Sequence, residues 1–265
     1  MINCDCKKLL AIDLDGTLLT DNGNITEGNL KSLKKASEKN TTIAIATGRA
    51  FFNALRVIDK YDFDCYLICF NGALIVNLKN NEEIFSKAME KEAAQKIVDL
   101  CIREKLPLHV FGRTYWGINF MDEAVKEFVE KQNIHPNIIR DARQIEDIDI
   151  INLVGIGKVD KISEFIVKNN MKVSFTNSDK ESIDVMGENV NKGNALEILA
   201  DKLNFRKEEI ISIGNYYNDV EMFKMSNVGI AIQNSPDDVK LHADYVTQNS
   251  NNEEGVKEAI EKFIL

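Results

Sequence analysis

The chain has 265 residues, of which 44% are hydrophobic and 28% charged, the composition of a folded protein with room for two domains. Its formal net charge of -9 repels polyphosphate backbones and sets nucleic acid aside as a partner, while a local basic pocket can still hold a small anion. No run approaches the roughly 18 apolar residues of a membrane span.

At the N-terminus, MINCDCKKLLAIDLDGT carries the apolar run LLAI, cut at once by Asp13. That is neither an export signal nor an anchor, so a soluble, cytoplasmic chain with no membrane partner is expected. The five cysteines (Cys4, Cys6, Cys65, Cys69, Cys101) are an odd, irregular set, as reduced thiols are. Cys4 and Cys6 alone make a weak metal pair beside a core strand, and His109, His135 and His242 show no metal spacing.

KLLAID predicts a buried parallel strand with a functional loop at its carboxyl end. Thr26 caps a helix in which Leu30, Leu33 and Ala36 recur at helical spacing. TTIAIA (41–46) is a second strand, Phe51 to Lys60 a helix, and CYLICF (65–70) a third strand closed by Asn71-Gly72. The last third repeats this grammar. A helix at 192–204, the strand EIISIG, a helix carrying Val220, Met222 and Phe223, the strand VGIAI, then ADYVT and a final helix follow in turn. Such alternation calls for an α/β fold, a Rossmann-like doubly wound parallel sheet with helices on both faces.

The middle reads differently. Helices at 91–104, 122–131 and 159–169 separate the runs PLHVFG, YWGINF, INLVGIG, MKVSFT and SIDVM, several of which alternate as half-exposed antiparallel strands do. The expectation is an α+β domain over 81–187 inserted into a core of 1–80 and 188–265, with NLKNNE and GENVN as hinges.

Four polar strings carry the chemistry. Asp13-Leu14-Asp15-Gly16-Thr17 sets two carboxylates at a strand end, expensive unless a cation such as magnesium compensates them; an ordinary Asp-rich turn is the bland alternative. Gly16 permits a sharp turn and Thr17 offers a hydroxyl to an anion. Thr47-Gly48-Arg49 joins a hydroxyl to a helix N-terminus, an anion cradle or a plain cap. Lys192, in Asn191-Lys192-Gly193, begins a helix against the macrodipole, which makes sense when it faces phosphate and carboxylate. Gly214-Asn215-Tyr216-Tyr217-Asn218-Asp219 adds oxygen ligands, or is a polar loop. All four fall at carboxyl ends of strands or at helix starts, the edge where open α/β sheets bind ligands. Together they supply a nucleophile, a metal site and positive charge, the needs of phosphoryl transfer.

The ordered motifs DLDGTLL, ATGR, NKG and GNYYNDVEMF, with NGA (71–73) among them and the tail VGIAIQNSPDDVKLHADYVT, resemble the haloacid dehalogenase superfamily, in particular its Cof-type phosphatases. The resemblance covers both halves of the core; the insert matches in position and size as a large α/β cap. It implies a phosphatase in which Asp13 attacks phosphorus, Asp15 moves the proton, Thr47 holds phosphoryl oxygens and Lys192 bridges Asp13 and phosphate. It implies Mg²⁺ on Asp13, the Asp15 backbone carbonyl, Asn215 and Asp219. Gly16, Thr17, Gly48, Arg49, Asn71, Asn218 and Asn234 would line the phosphorylated substrate, a small metabolite. The family has Asp where Asn215 stands, which predicts weaker metal binding and supports one alternative, a phosphate-binding or regulatory protein with weakened turnover; a phosphomutase, which would share the covalent step, is another. His109, Arg113, Tyr115 and Trp116 are candidate substrate readers whose commoner role is sheet packing.

Overall fold

A computed structural model describes residues 7–177 and 181–265. Cys4 and Cys6 lie outside the described residues. The chain divides into two compact units, one formed by the residues through Ser86 together with Asn191–Leu265, the other by Lys87–Val190.

The first unit begins with β1 (Lys8–Asp13), α1 (Glu27–Glu38), β2 (Thr41–Ala46), α2 (Phe51–Ile58), β3 (Tyr66–Cys69), β4 (Leu74–Asn77) and β5 (Glu82–Ser86). The second holds α3 (Lys91–Arg103), β6 (Leu108–Gly112), β7 (Trp116–Ile118), α4 (Glu123–Gln132), β8 (Asn137–Ile138), β9 (Ile150–Ile156), α5 (Val159–Lys168), β10 (Val173–Thr176) and β11 (Ser182–Gly187). The chain then completes the first unit with α6 (Lys192–Lys202), β12 (Ile210–Gly214), α7 (Val220–Met225), β13 (Val228–Ala231), α8 (Asp237–Lys240), β14 (Tyr245–Val246) and α9 (Gly255–Phe263).

The first unit's sheet runs β14-β13-β12-β1-β2-β3-β4-β5. Its pairs from β14 to β3 are parallel, and β3-β4 and β4-β5 are antiparallel. Leu9 and Ala11 of β1 pack with Ala195, Leu196, Leu199 and Met222 of α6 and α7. Leu10 and Ile12 are also fully buried, so β1 is covered on both faces, which is why it reads as one apolar run. Thr26 caps α1, its hydroxyl accepting from Asn29 N at 3.2 Å. The continuous run TTIAIA becomes β2 with the bounds expected of it.

The β4-β5 hairpin was not evident in the sequence, because EEIFS alternates poorly and its strand lies at the sheet edge, half-buried. Its pairing carries the first unit on to Ser86, past the expected boundary at 80/81; the return falls at Asn191 rather than at 188.

The second unit's sheet runs β10-β11-β9-β6-β7-β8. The pairs from β10 to β7 are antiparallel, as the alternating runs require. Its core joins Ile97, Val98 and Cys101 of α3 and Ile162 and Ile166 of α5 to Val110, Leu153, Ile183 and Val185. Cys65, Cys69 and Cys101 are buried free thiols, and burial pushes those of Cys65 and Cys101 up to about 12. Among the described residues, no helix is long and apolar enough to cross a membrane.

Candidate active site

In the first unit's sheet, β1 lies between β12 and β2, and successive strands leave it in opposite directions. Such a reversal opens a crevice at the carboxyl ends of the strands. Asp13 is the last residue of β1, Thr47 follows β2, Asn71 follows β3, and Asn215 follows β12. Lys192 enters from the side, as the first residue of α6. Asn191 caps that helix by accepting from Asn194 N at 2.8 Å.

Asp13 is 5% exposed, Lys192 1% and Asp219 0%. Lys192 Nζ donates to Asp13 Oδ1 at 2.6 Å and to Asp219 Oδ1 at 2.7 Å. One positive charge thus lies between two carboxylates, so with both ionised the trio carries one negative charge in excess. Burial, with repulsion from Asp219, raises the Asp13 carboxyl to about 7, against the pull of Lys192 and Thr17. Burial alone would lower the Lys192 ammonium, but Asp13 and Asp219 outweigh it and raise the group above its ordinary value.

The other oxygens show where a cation fits. Thr17 Oγ1 lies 2.8 Å from Asp13 Oδ2 and 3.2 Å from Asn215 Oδ1. A hydroxyl has one proton, and the shorter contact takes it. Asn215 Oδ1 is therefore an amide oxygen directed at other oxygens, an arrangement that a hard cation relieves. The residues present fit Mg²⁺: the Asp13 carboxylate, the Asn215 amide oxygen and the neighbouring backbone carbonyl of Asp15 are all hard donors.

Asp219 has less to offer. Its Oδ2 accepts from Asn215 N at 2.8 Å and Tyr216 N at 3.0 Å, and its Oδ1 takes Lys192. That narrows its expected part in a metal set to one lone pair of Oδ1. Its evident work is to fix the loop that aims Asn215.

The other side of the crevice is knitted from two loops. Thr47 N donates to Ile68 O at 2.8 Å, and Asn71 N to Thr47 O at 3.1 Å. Thr47, 1% exposed, accepts Arg49 N on its hydroxyl at 3.1 Å. Phe70 and Asn71 both adopt left-handed backbone (φ 50° and 52°), unusual for a residue as bulky as Phe. Asn218 Nδ2 donates to Asn71 Oδ1 at 2.9 Å, while the buried Asn71 Nδ2 lacks a partner. An added Cβ on Gly48 would lie 3.1 Å from that Nδ2, so glycine lets the two loops close up.

Three expected site residues are placed differently from the others. Asp15 is exposed, and Arg49 grips both its oxygens, Nε to Oδ2 at 2.7 Å and Nη2 to Oδ1 at 2.5 Å. Arg49 is thus committed to Asp15. Asn234 braces the Asp13 loop, its Nδ2 donating to Gly16 O at 2.9 Å and its Oδ1 accepting from Asn251 N at 3.0 Å.

In the second unit, Trp116 packs edge-on against Phe128, with ring centroids 5.3 Å apart, and Tyr115 leans on the apolar core. Packing accounts for both. Arg113 is exposed.

A buried carboxylate at the switch point, a lysine bridging it to a second carboxylate and a donor-rich anion cradle define a phosphoric monoester hydrolase. The chain belongs to the haloacid dehalogenase-like hydrolases, whose family-wide sequence pattern matches residues 10–260. It is 31% identical over 97% of its length, and 96% of the relative's, to the 5-amino-6-(5-phospho-D-ribitylamino)uracil phosphatase YcsE of Bacillus subtilis. It is 29% identical to the putative phosphatase YxeH of the same organism, covering 97% of this chain and 98% of that one. Among solved structures, a haloacid dehalogenase-like hydrolase from B. subtilis superposes with a TM-score of 0.86 at 24% identity, over 97% of this chain and 99% of that one, which shows the shared fold.

Proposed function

We propose that the chain is a Mg²⁺-dependent phosphatase that hydrolyses a small phosphorylated metabolite, a sugar phosphate or similar compound, through an aspartyl phosphate on Asp13. The observation that carries this reading is the Lys192 bridge between two buried carboxylates. The substrate named for the relative YcsE, a phosphorylated ribityl compound, supports the substrate class.

A carboxylate oxygen of Asp13 attacks phosphorus and the bond to the leaving oxygen breaks. Asp15 gives that oxygen its proton. Because Arg49 takes both Asp15 oxygens, proton delivery requires one of those two hydrogen bonds to open. Water then attacks the aspartyl phosphate, Asp15 takes the proton, and phosphate leaves. Lys192 keeps Asp13 from repelling the incoming dianion. Thr47 and the amide of Asn71 offer donors to the phosphoryl oxygens, and Gly16, Thr17, Gly48 and Asn218 shape the cradle. Arg49 and Asn234 serve the substrate through Asp15 and the Gly16 loop. Asp13, the Asp15 carbonyl, Asn215 and Asp219 would hold Mg²⁺, which would supply charge neutralisation at phosphorus.

The test is release of inorganic phosphate from a panel of phosphorylated metabolites, with Mg²⁺ and with chelator, by the natural chain and Asp13→Asn. Metal-dependent turnover that disappears in Asp13→Asn is expected. Turnover that survives the substitution or the chelator refutes the reading.

A further inference from the structure

The segment that follows Asp13 is held in part from outside. Within it, Leu19 N donates to Leu14 O and Thr20 N to Asn24 O, both at 2.9 Å. The rest of its anchoring comes from Asn251, which lies in a short 3₁₀ turn (Asn251–Glu253) between β14 and α9 and is 2% exposed. Asn251 Nδ2 donates to Leu19 O at 2.9 Å and to Asp21 Oδ1 at 3.0 Å. A side-chain amide nitrogen has two protons, and this segment takes both. Asn251 N donates to Asn234 Oδ1 at 3.0 Å, and Asn234 Nδ2 in turn to Gly16 O at 2.9 Å. Asn252 closes the other end: its Nδ2 donates to Asp21 Oδ2 at 2.9 Å and its Oδ1 accepts from Asp21 N at 3.0 Å.

One buried amide is therefore tied to both ends of the Gly16–Asp21 stretch. Filling space would need only an apolar side chain, since a buried amide must find a partner for every proton it brings. The need for a tie lies next to Gly16, at Asp15. Gly16 has a φ of 73°, and glycine gives the chain freedom to swing there. Arg49 grips both Asp15 oxygens, and proton delivery requires one of those hydrogen bonds to open. A carboxylate that must let go of Arg49 needs its backbone held by something else, and the Asn251 tie does this.

We propose that Asn251 is a positioning residue for Asp15, fixing through Leu19, Asp21 and Asn234 the backbone that aims the general acid. The proposal rests on the phosphatase reading and adds to it a residue that follows the sheet's edge strand, outside the four polar strings.

Phenyl phosphate and 4-nitrophenyl phosphate separate positioning from folding. Nitrophenolate leaves without a proton, whereas phenolate needs one from Asp15. With the full chain in Mg²⁺, kcat/KM reports the steps up to the aspartyl phosphate, and the ratio of the two esters cancels any loss of folded protein. In Asn251→Leu the phenyl ester is expected to lose about tenfold more than the nitrophenyl ester. Asp21→Ala removes the exposed carboxylate without touching the buried amide, and about threefold is expected. Asn251→Asp removes both donors. Adding Asp21→Asn restores the bond with donor and acceptor exchanged, and is expected to recover most of the lost ratio. A ratio unmoved in Asn251→Leu and Asp21→Ala, or a double variant no better than Asn251→Asp, overturns the positioning role. If neither ester is turned over, hydrogen exchange decides the tie. The Leu18 and Leu19 amides are expected to exchange about tenfold faster in Asp21→Ala, and unchanged exchange overturns it. Absence of phosphate release from the metabolite panel as well refutes the phosphatase reading.

Discussion

Replacing Asn215 by Asp tests the charge reasoning directly. Thr17 Oγ1 touches both Asp13 Oδ2 (2.8 Å) and Asn215 Oδ1 (3.2 Å), so those two oxygens lie close together. At a separation of about 6 Å and an effective dielectric constant near 20, two like charges repel by roughly 3 kcal/mol. Asn215 is half-buried, and solvent reduces this to about 1–3 kcal/mol. Without metal, Asn215→Asp therefore lowers stability, and melting in chelator falls by a few degrees. With metal the sign reverses, because the new carboxylate attracts the cation. The Mg²⁺ concentration for half-maximal phosphate release is expected to drop by about tenfold to a hundredfold. The assay is a Mg²⁺ titration of turnover beside melts with and without chelator. An unchanged or higher Mg²⁺ requirement refutes the reasoning, as does a metal-free melting temperature that fails to fall.

The Lys192→Met variant leaves Asp13 and Asp219 buried without their cation, a loss of about 3–5 kcal/mol in metal-free protein; denaturant melts are expected to recover part of it in saturating Mg²⁺, and a loss below about 1 kcal/mol contradicts the bridge. Asp13, raised to about 7, is a site where protons and metal compete. The Mg²⁺ requirement is expected to climb by up to about tenfold per pH unit below that value and to level off above it. The same raised value means that the metal-free folded chain holds this proton to higher pH than the unfolded chain. Asp13's contribution to stability is therefore lost as pH rises from its ordinary 3.8 towards about 7, a slope that Asp13→Asn abolishes in melts taken across that window. In Gly16→Ala, the φ of 73° costs about 1–2 kcal/mol, and the new Cβ falls 2.4 Å from Asn215 Nδ2. The displaced amide should raise the Mg²⁺ requirement, and an unaltered titration argues against Asn215 as a ligand. Removing the Asp13 charge should tighten inorganic phosphate binding by about tenfold in calorimetry while turnover is lost.

The core strands were legible because burial on both faces leaves an unbroken apolar run, as in KLLAID and TTIAIA. The site was legible for a related reason: a parallel sheet sends every strand's carboxyl end to one edge, so polar strings after β1, β2, β3 and β12 must gather there. How lone pairs are shared was not legible. NYYND reads as a string of oxygen ligands, yet Asp219 spends its carboxylate on Lys192 and two loop amides. Likewise Arg49 and Asn234 were placed on the substrate by position in a motif, whereas distance ties them to Asp15 and Gly16.

The charge balance also weighs the enzyme against the binding protein that Asn215 suggested. A protein that merely holds phosphate gains nothing from an anionic side chain at the bottom of its pocket. Asp13 is buried beside a second carboxylate, its charge opposed by desolvation, and an asparagine there would still accept from Lys192 and Thr17. What asparagine lacks is the charge that makes the oxygen a nucleophile and that draws a divalent cation. Lys192 offsets only part of the cost, since its one charge is shared with Asp219. The uncompensated negative charge makes sense in a cycle in which metal and phosphorus both come to Asp13. On the proposed mechanism, Asn215, neutral where a carboxylate could have stood, would change how tightly the metal is held and leave the nucleophile as it is.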